Sequence, residues 1–229
     1  MSSRAAATLA TSVYSQLRDD LLNGQYPAGD KLRIERVAAK YRCGLSPVRE
    51  ALNRLSAERL IDRIDQRGFW VKPLSDGELQ ELTRTRCWLE ERALRESIAN
   101  RTGRWEEQVV LALHRLARAT GRVQEQPSSR DSEWENVHRA FHSALISGCG
   151  SHWLISFCEH VATQMHRYRM LATAAEGEQR DCMAEHRLIA EAAIDGDADR
   201  AVAALVEHYR KSAALVCFAQ WAPPSAIVE

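Results

Sequence analysis

The order of hydrophobic periods in the first 72 residues restricts the fold more than any other feature of the chain. In TSVYSQLRDDLL (11–22), Val13, Leu17 and Leu21 recur at helical spacing, and Gly24 follows as a stop. YPAGDKL reads as a turn, and IERVAAKY (34–41) as a short second helix with Ile34, Val37 and Ala38 facing inward. After the connector RCGL comes SPVREALNRLSAERL (46–60), a third helix with Ser46 as its expected N-cap and Pro47 at the first helical position. Val48, Leu52 and Leu55 form its apolar stripe. LIDRI and FWVK then flank DQRG as the two strands of a hairpin. Helix, helix, glycine-containing turn, helix and hairpin is the order of a winged helix-turn-helix, whose third helix enters the DNA major groove while the hairpin touches backbone or minor groove.

A plain α+β domain would show the same elements, and charge separates the two readings. The chain has 229 residues and no net charge, but the neutrality is uneven. Residues 1–72 hold 13 Lys/Arg against 8 Asp/Glu, a net +5, and residues 73–229 hold 18 against 23, a net −5. A basic head on an acidic body points the head at a polyanion. Arg33, Arg36, Arg42, Arg49 and Arg67 fall near the expected DNA face, and Ser46, Pro47 and Gly68 complete it from the helix start and the wing.

From Ser75 the pattern is helical throughout. SDGE is a Ser-x-x-Glu capping box, and it opens amphipathic runs at 79–101, 105–123, 134–148, 152–172, 180–196 and 197–221. About six helices with short connections predict a bundle. The expected fold is therefore mainly α: a winged helix-turn-helix domain at 1–73, then an all-helical domain at 74–229. No run approaches the roughly 18 apolar residues of a membrane span, and the N-terminus has no apolar signal core. The six cysteines (43, 87, 149, 158, 182, 217) form no Cys-x-x-Cys pair, which argues for a reducing cytoplasm and for cysteines as small core residues.

The body's histidines supply the chemistry. In ENVHRAFHSAL (135–145), His138 and His142 lie four apart, hence on one helical face about 5–6 Å from each other. His186 and His208 flank the turn DGDAD almost evenly, nine residues from His186 to Asp195 and ten from Ala198 to His208. In an antiparallel helix pair, equal distances from the turn mean equal height, so the two rings can meet. Four imidazoles converging inside a bundle suit Zn²⁺, Ni²⁺ or another nitrogen-seeking divalent ion, or alternatively a metal-free polar pocket that binds a carboxylate. His114, His152, His160 and His166 read as ordinary surface or core residues.

These segments carry a resemblance. LLNGQYPAGDKL, SPVREALNRLSAERLI and RGFWV look like the DNA-binding domain of the GntR family of bacterial transcription regulators over roughly residues 12–72. The resemblance implies DNA contacts from Arg36, Arg49 and Gly68. It departs where the family commonly has Ser-Arg-Thr, since Gly44, Leu45 and Ser46 stand there and one guanine-reading arginine is missing. The second half resembles the FCD ligand-sensing domain of the fatty-acid-regulator branch, most closely the carbon-starvation-induced, glutarate-responsive repressor type. Many FCD domains hold a divalent metal through an Asp-x-x-x-His pair and two later histidines. His142, His186 and His208 match the histidines, and His138 stands in the Asp position. Arg86 matches an arginine that such domains direct at the cavity. Arg167 and Arg169 are further candidates for an anion clamp, because a buried guanidinium is costly unless an anion meets it.

The leading expectation is thus a cytoplasmic, homodimeric transcription regulator of the repressor kind, in which the head binds a palindromic operator and the body senses a small carboxylate. The rival from another class is a metal-dependent enzyme with an accessory DNA-binding-like domain. That rival lacks a His-Glu-x-x-His or Gly-x-Ser-x-Gly motif, and four protein ligands leave a tetrahedral ion little open coordination. A non-specific architectural DNA binder fits poorly with a large acidic body.

Overall fold

The computed structural model describes residues 8–125, 132–172 and 181–216. The head begins with α1 (Leu9–Leu22), capped by Thr8, whose hydroxyl accepts from the Thr11 amide. Strand β1 (Lys31–Leu32), α2 (Ile34–Lys40), α3 (Leu45–Ala57), β2 (Ile61–Ile64) and β3 (Gly68–Val71) follow. Val13, Leu17 and Leu21 of α1 pack on Val48, Leu52 and Leu55 of α3, the residues at the expected spacings, to form a core separate from that of the body. Two details differ from expectation. Helix α3 starts two residues early, with Gly44 rather than Ser46 as N-cap and without a side-chain cap bond, which moves Pro47 to the third helical position. The segment read wholly as a turn contains β1, which pairs antiparallel with β3 (Leu32 opposite Phe69) and extends the hairpin to a sheet ordered β1-β3-β2. A two-residue strand is too short to show an alternation in sequence.

The body consists of α4 (Asp76–Ala99), α5 (Gly103–Glu125), α6 (Ser132–Ile146), α7 (His152–Ala172), α8 (Cys182–Ile194) and α9 (Ala198–Ala214). Helix α4 packs on α7 and α9, α5 on α6 and α8, and α8 on α9. Leu94, Val109, Leu116, Phe141, Leu145, Ile189 and Leu205 fill the centre. Among the described residues no helix is long and apolar enough to cross a membrane. Cys43, Cys87, Cys149 and Cys158 are free thiols, and burial pushes Cys158 up to about 12, consistent with an inert packing role. Cys217 and the last turns expected of the final helix lie outside the described residues.

The Ser75 capping box is half made. The Ser75 hydroxyl accepts from the Glu78 amide at 3.2 Å, but the Glu78 carboxylate turns away to Lys72 and to the Tyr168 hydroxyl. The Ser75 amide donates to the same hydroxyl at 3.4 Å. Helix α7 thereby takes part in capping α4, and the same helix meets the head. Gln164 donates to the Glu58 carbonyl at 2.6 Å, Arg18 reaches the Thr163 hydroxyl at 3.5 Å, and Arg167 donates to the Lys72 carbonyl.

Candidate functional site

Helix α6 presents His138 and His142 to the interior one turn apart. Helices α8 and α9, joined by a tight turn at Gly196 (φ +81°), bring His186 and His208 level, with ring centroids 4.5 Å apart. All four rings are buried, and one ligating nitrogen from each lies within 4.8 Å of the others. The equal-height argument from the DGDAD turn holds. Phe141 packs edge-on against His142 and His186, and Trp134 stacks on His138 at 4.8 Å, so apolar surface encloses the cluster.

The donor set suits a nitrogen-seeking ion. Zinc–nitrogen bonds of about 2.0–2.1 Å put two tetrahedral ligand atoms roughly 3.3–3.4 Å apart, and His142 Nε2 and His138 Nε2 are 3.2 Å apart. The wider separations require the set to contract. Burial, reinforced by neighbouring imidazoles and cations, holds His138 and His142 well below the ordinary histidine range, so both are neutral and available as ligands. His208 Nδ1 lies 2.8 Å from a Glu185 oxygen, the carboxylate–histidine pairing that orients metal-binding imidazoles.

Two arginines border the cluster, each already facing a carboxylate. Arg86, fully inside α4's buried face, pairs with Glu90 at 2.7 Å, donates to the Tyr209 hydroxyl at 3.1 Å and lies 3.9 Å over the Tyr209 ring. Burial opposes its charge, but Glu90 and its other partners keep the guanidinium above its ordinary value. Arg169 pairs with Glu135, which also lies 3.0 Å from His166 Nδ1. Burial works against the Glu135 charge, yet Arg169 and His166 hold the carboxyl well below the usual carboxylate range. Arg86, Arg169, His138, His208, Met165, Tyr168, Tyr209, Ser212, Ala213 and Val216 line a cavity whose free space, about 10 Å³ as swept by the centre of a water-sized sphere, admits about one water.

The expected site residues therefore divide. His138, His142, His186, His208, Arg86 and Arg169 come together. Arg167 stands apart, spending its guanidinium on the Lys72 carbonyl at the start of the body. His166, read from sequence as ordinary, is buried against Glu135. Glu90 and Tyr209 escaped the sequence reading. Glu90 was signalled only by its position four residues after Arg86, and Tyr209 only by following His208.

On the head, Arg36, Ser46 and Arg49 are exposed on α2 and α3, Pro47 is half-buried, and Arg67 and Gly68 stand at the β2–β3 tip. Gly68 takes φ +103°, a conformation that L side chains rarely adopt. Among the described residues none of Arg33, Arg36, Arg42, Arg49 and Arg67 is in a salt bridge.

Comparison with known proteins agrees with both halves. Residues 9–71 match the bacterial regulatory proteins of the gntR family, and residues 81–211 match the FCD domain. The HTH-type transcriptional regulator BphR of Paraburkholderia xenovorans LB400 is 36% identical over 91% of this chain and 85% of its own. The HTH-type transcriptional repressor GlaR of Escherichia coli K12 is 32% identical over 69% of this chain and 71% of its own. In fold the chain is similar to E. coli McbR/YncC, with a TM-score of 0.76 at 23% identity over 92% of this chain and 98% of that one. The family matches cover both the winged head and the helical body, and the chain belongs to the GntR family of bacterial transcription regulators, with an FCD domain as its body and no catalytic role.

Proposed function

We propose that this regulator is a cytoplasmic, dimeric repressor that binds a palindromic operator through residues 1–73 and releases it when residues 74–229 take up a small dicarboxylate. The observation that carries this reading is the convergence of four buried histidines beside Arg86 and Arg169 in a body fused to a DNA-binding head. His138, His142, His186 and His208 would hold Zn²⁺ or Ni²⁺, which supplies a Lewis-acidic anchor for one carboxylate of the ligand; Arg86 and Arg169 meet the other. Arg36, Ser46, Pro47, Arg49, Arg67 and Gly68 contact the operator, and twofold pairing multiplies the few base contacts available to one head. A relative named as a repressor supports that sign of control.

The cavity's size gives the coupling. A space for about one water cannot admit a dicarboxylate unless its wall moves, and Tyr168 and Arg169 of α7 belong to that wall. Gln164, Arg167 and Tyr168 tie the same helix to Glu58, Lys72 and Ser75 at the junction with the head. Ligand affinity that favours the opened wall then favours a different head position, and operator release follows from that difference in affinity between two states.

The test combines elemental analysis, calorimetry with glutarate (succinate and adipate as length controls) and operator-release assays on DNA from upstream of the coding sequence. Wild type, His142→Ala and His208→Ala are compared. Joint loss of metal and of ligand response in the variants is expected. Unchanged ligand affinity and operator release in both would overturn the reading.

A further inference from the structure

Tyr209 stands between the histidine cluster and Arg86, and its hydroxyl is the meeting point of three hydrogen bonds. That hydroxyl has one hydrogen and two lone pairs. Glu90, a carboxylate held by the Arg86 Nε at 2.7 Å, can only accept, so the hydroxyl hydrogen points at Glu90. The Arg86 Nη2 group can only donate, and it fills one lone pair at 3.1 Å. Only the second lone pair is left for His142 Nδ1 at 3.0 Å, so Nδ1 must carry the hydrogen of that ring.

We propose that Arg86, Glu90 and Tyr209 form a positioning relay that fixes His142 as its Nδ1–H tautomer and turns its bare Nε2 toward the other three histidines. Arg86 acquires by this a role separate from meeting the ligand's carboxylate: it orients the hydroxyl that orients the imidazole. Glu185 sets His208 in the same way, since a carboxylate 2.8 Å from Nδ1 requires the hydrogen there. His138 is the exception. With His142 Nε2 bare, the hydrogen in their 3.2 Å contact sits on His138 Nε2, and among the described residues no partner reaches His138 Nδ1. To present Nε2 to an ion, His138 must move that hydrogen to Nδ1 by exchange with water. The residue in the position where the resemblance expects aspartate is thus not preset, whereas His142 and His208 are. The tautomer assignment stands without an ion; its consequence for metal affinity rests on the metal reading above.

Long-range ¹H–¹⁵N correlation on chelator-treated, histidine-labelled full-length protein reads the tautomers directly. The expected result is His142 and His208 as Nδ1–H and His138 as Nε2–H. Tyr209→Phe keeps the ring under Arg86 but removes the acceptor, so His142 should become a mixture or shift to Nε2–H. In competition with a zinc chelator, Tyr209→Phe and Glu90→Gln should each weaken zinc about 10–100-fold. His142 found as Nε2–H in wild type overturns the relay, and so does a Tyr209→Phe protein whose tautomer and zinc affinity are both unchanged. If wild type takes up no zinc, the metal reading fails, and the tautomer measurement still decides the relay. Should Glu90→Gln not fold, Tyr209→Phe, which leaves the buried ion pair intact, decides alone.

Discussion

Replacing Arg86 by Leu should cost much of the stability that the site contributes, because it breaks a buried ion pair. Its guanidinium and the Glu90 carboxylate are only 5% and 3% exposed, and they meet at 2.7 Å. At that separation and an effective dielectric of about 20, the attraction is about 6 kcal/mol. Dehydrating the two ions consumes several kcal/mol each, so the intact pair adds little over an apolar pair of the same shape, whereas half a pair leaves one buried charge uncompensated. Arg86→Leu is therefore expected to cost about 3–5 kcal/mol. The double variant Arg86→Leu/Glu90→Leu should lie within about 1–2 kcal/mol of wild type, the remainder being the lost bonds to Tyr209. In urea, with a slope of about 2–3 kcal/mol/M, the single change lowers the midpoint by about 1–2.5 M and the second substitution restores most of it. Circular dichroism of the full chain follows this, because the body holds most of the helix. A single variant within 1 kcal/mol of wild type, or a double variant as unstable as the two singles added, would refute the reasoning.

The junction between head and body should respond to acid through Glu78. Burial opposes its charge, but Lys72 and the Tyr168 hydroxyl hold its carboxyl below the ordinary value. A depressed folded-state pKa stabilises above the unfolded pKa of about 4.3 and is lost as pH falls through the folded value, so Glu78→Gln should flatten acid unfolding there and change little below it. An unchanged acid profile would count against the pairing. On the head, Arg49→Ala should weaken specific operator binding by about 1–3 kcal/mol if Arg49 reads a base, or lower the salt slope by about one if it contacts phosphate. Unaltered affinity and salt dependence would remove α3 from the DNA face. In the α8–α9 turn, Gly196→Ala forces a side chain into φ +81° and places Cβ 2.9 Å from the Arg101 guanidinium carbon, so thermal melts should show a loss of about 1–2 kcal/mol. A melt identical to wild type would show that the turn relaxes freely.

The sequence by itself determined the order of the helices and the hairpin and the identity of the histidines. Val13, Leu17 and Leu21, like Val48, Leu52 and Leu55, lie inward because helical spacing leaves an apolar stripe no other low-energy place. The even division of the DGDAD hairpin brought His186 level with His208, because a rigid rise per residue turns sequence distance into height. Tertiary structure decided what a local pattern cannot carry. Strand β1 exists only through its pairing with β3. The Ser75 box is completed by Tyr168, 93 residues away, rather than by Glu78. Arg167 and Arg169, two residues apart on α7, point to different neighbours, Arg167 to the Lys72 carbonyl and Arg169, in the cavity wall, to Glu135. The hydrogen on His142 is placed by Tyr209, Glu90 and Arg86, which α4 and α9 bring to it from 67, 52 and 56 residues away in sequence. Hydrogen-bond direction depends on which donors and acceptors meet in space, and that meeting is a property of packing rather than of local sequence.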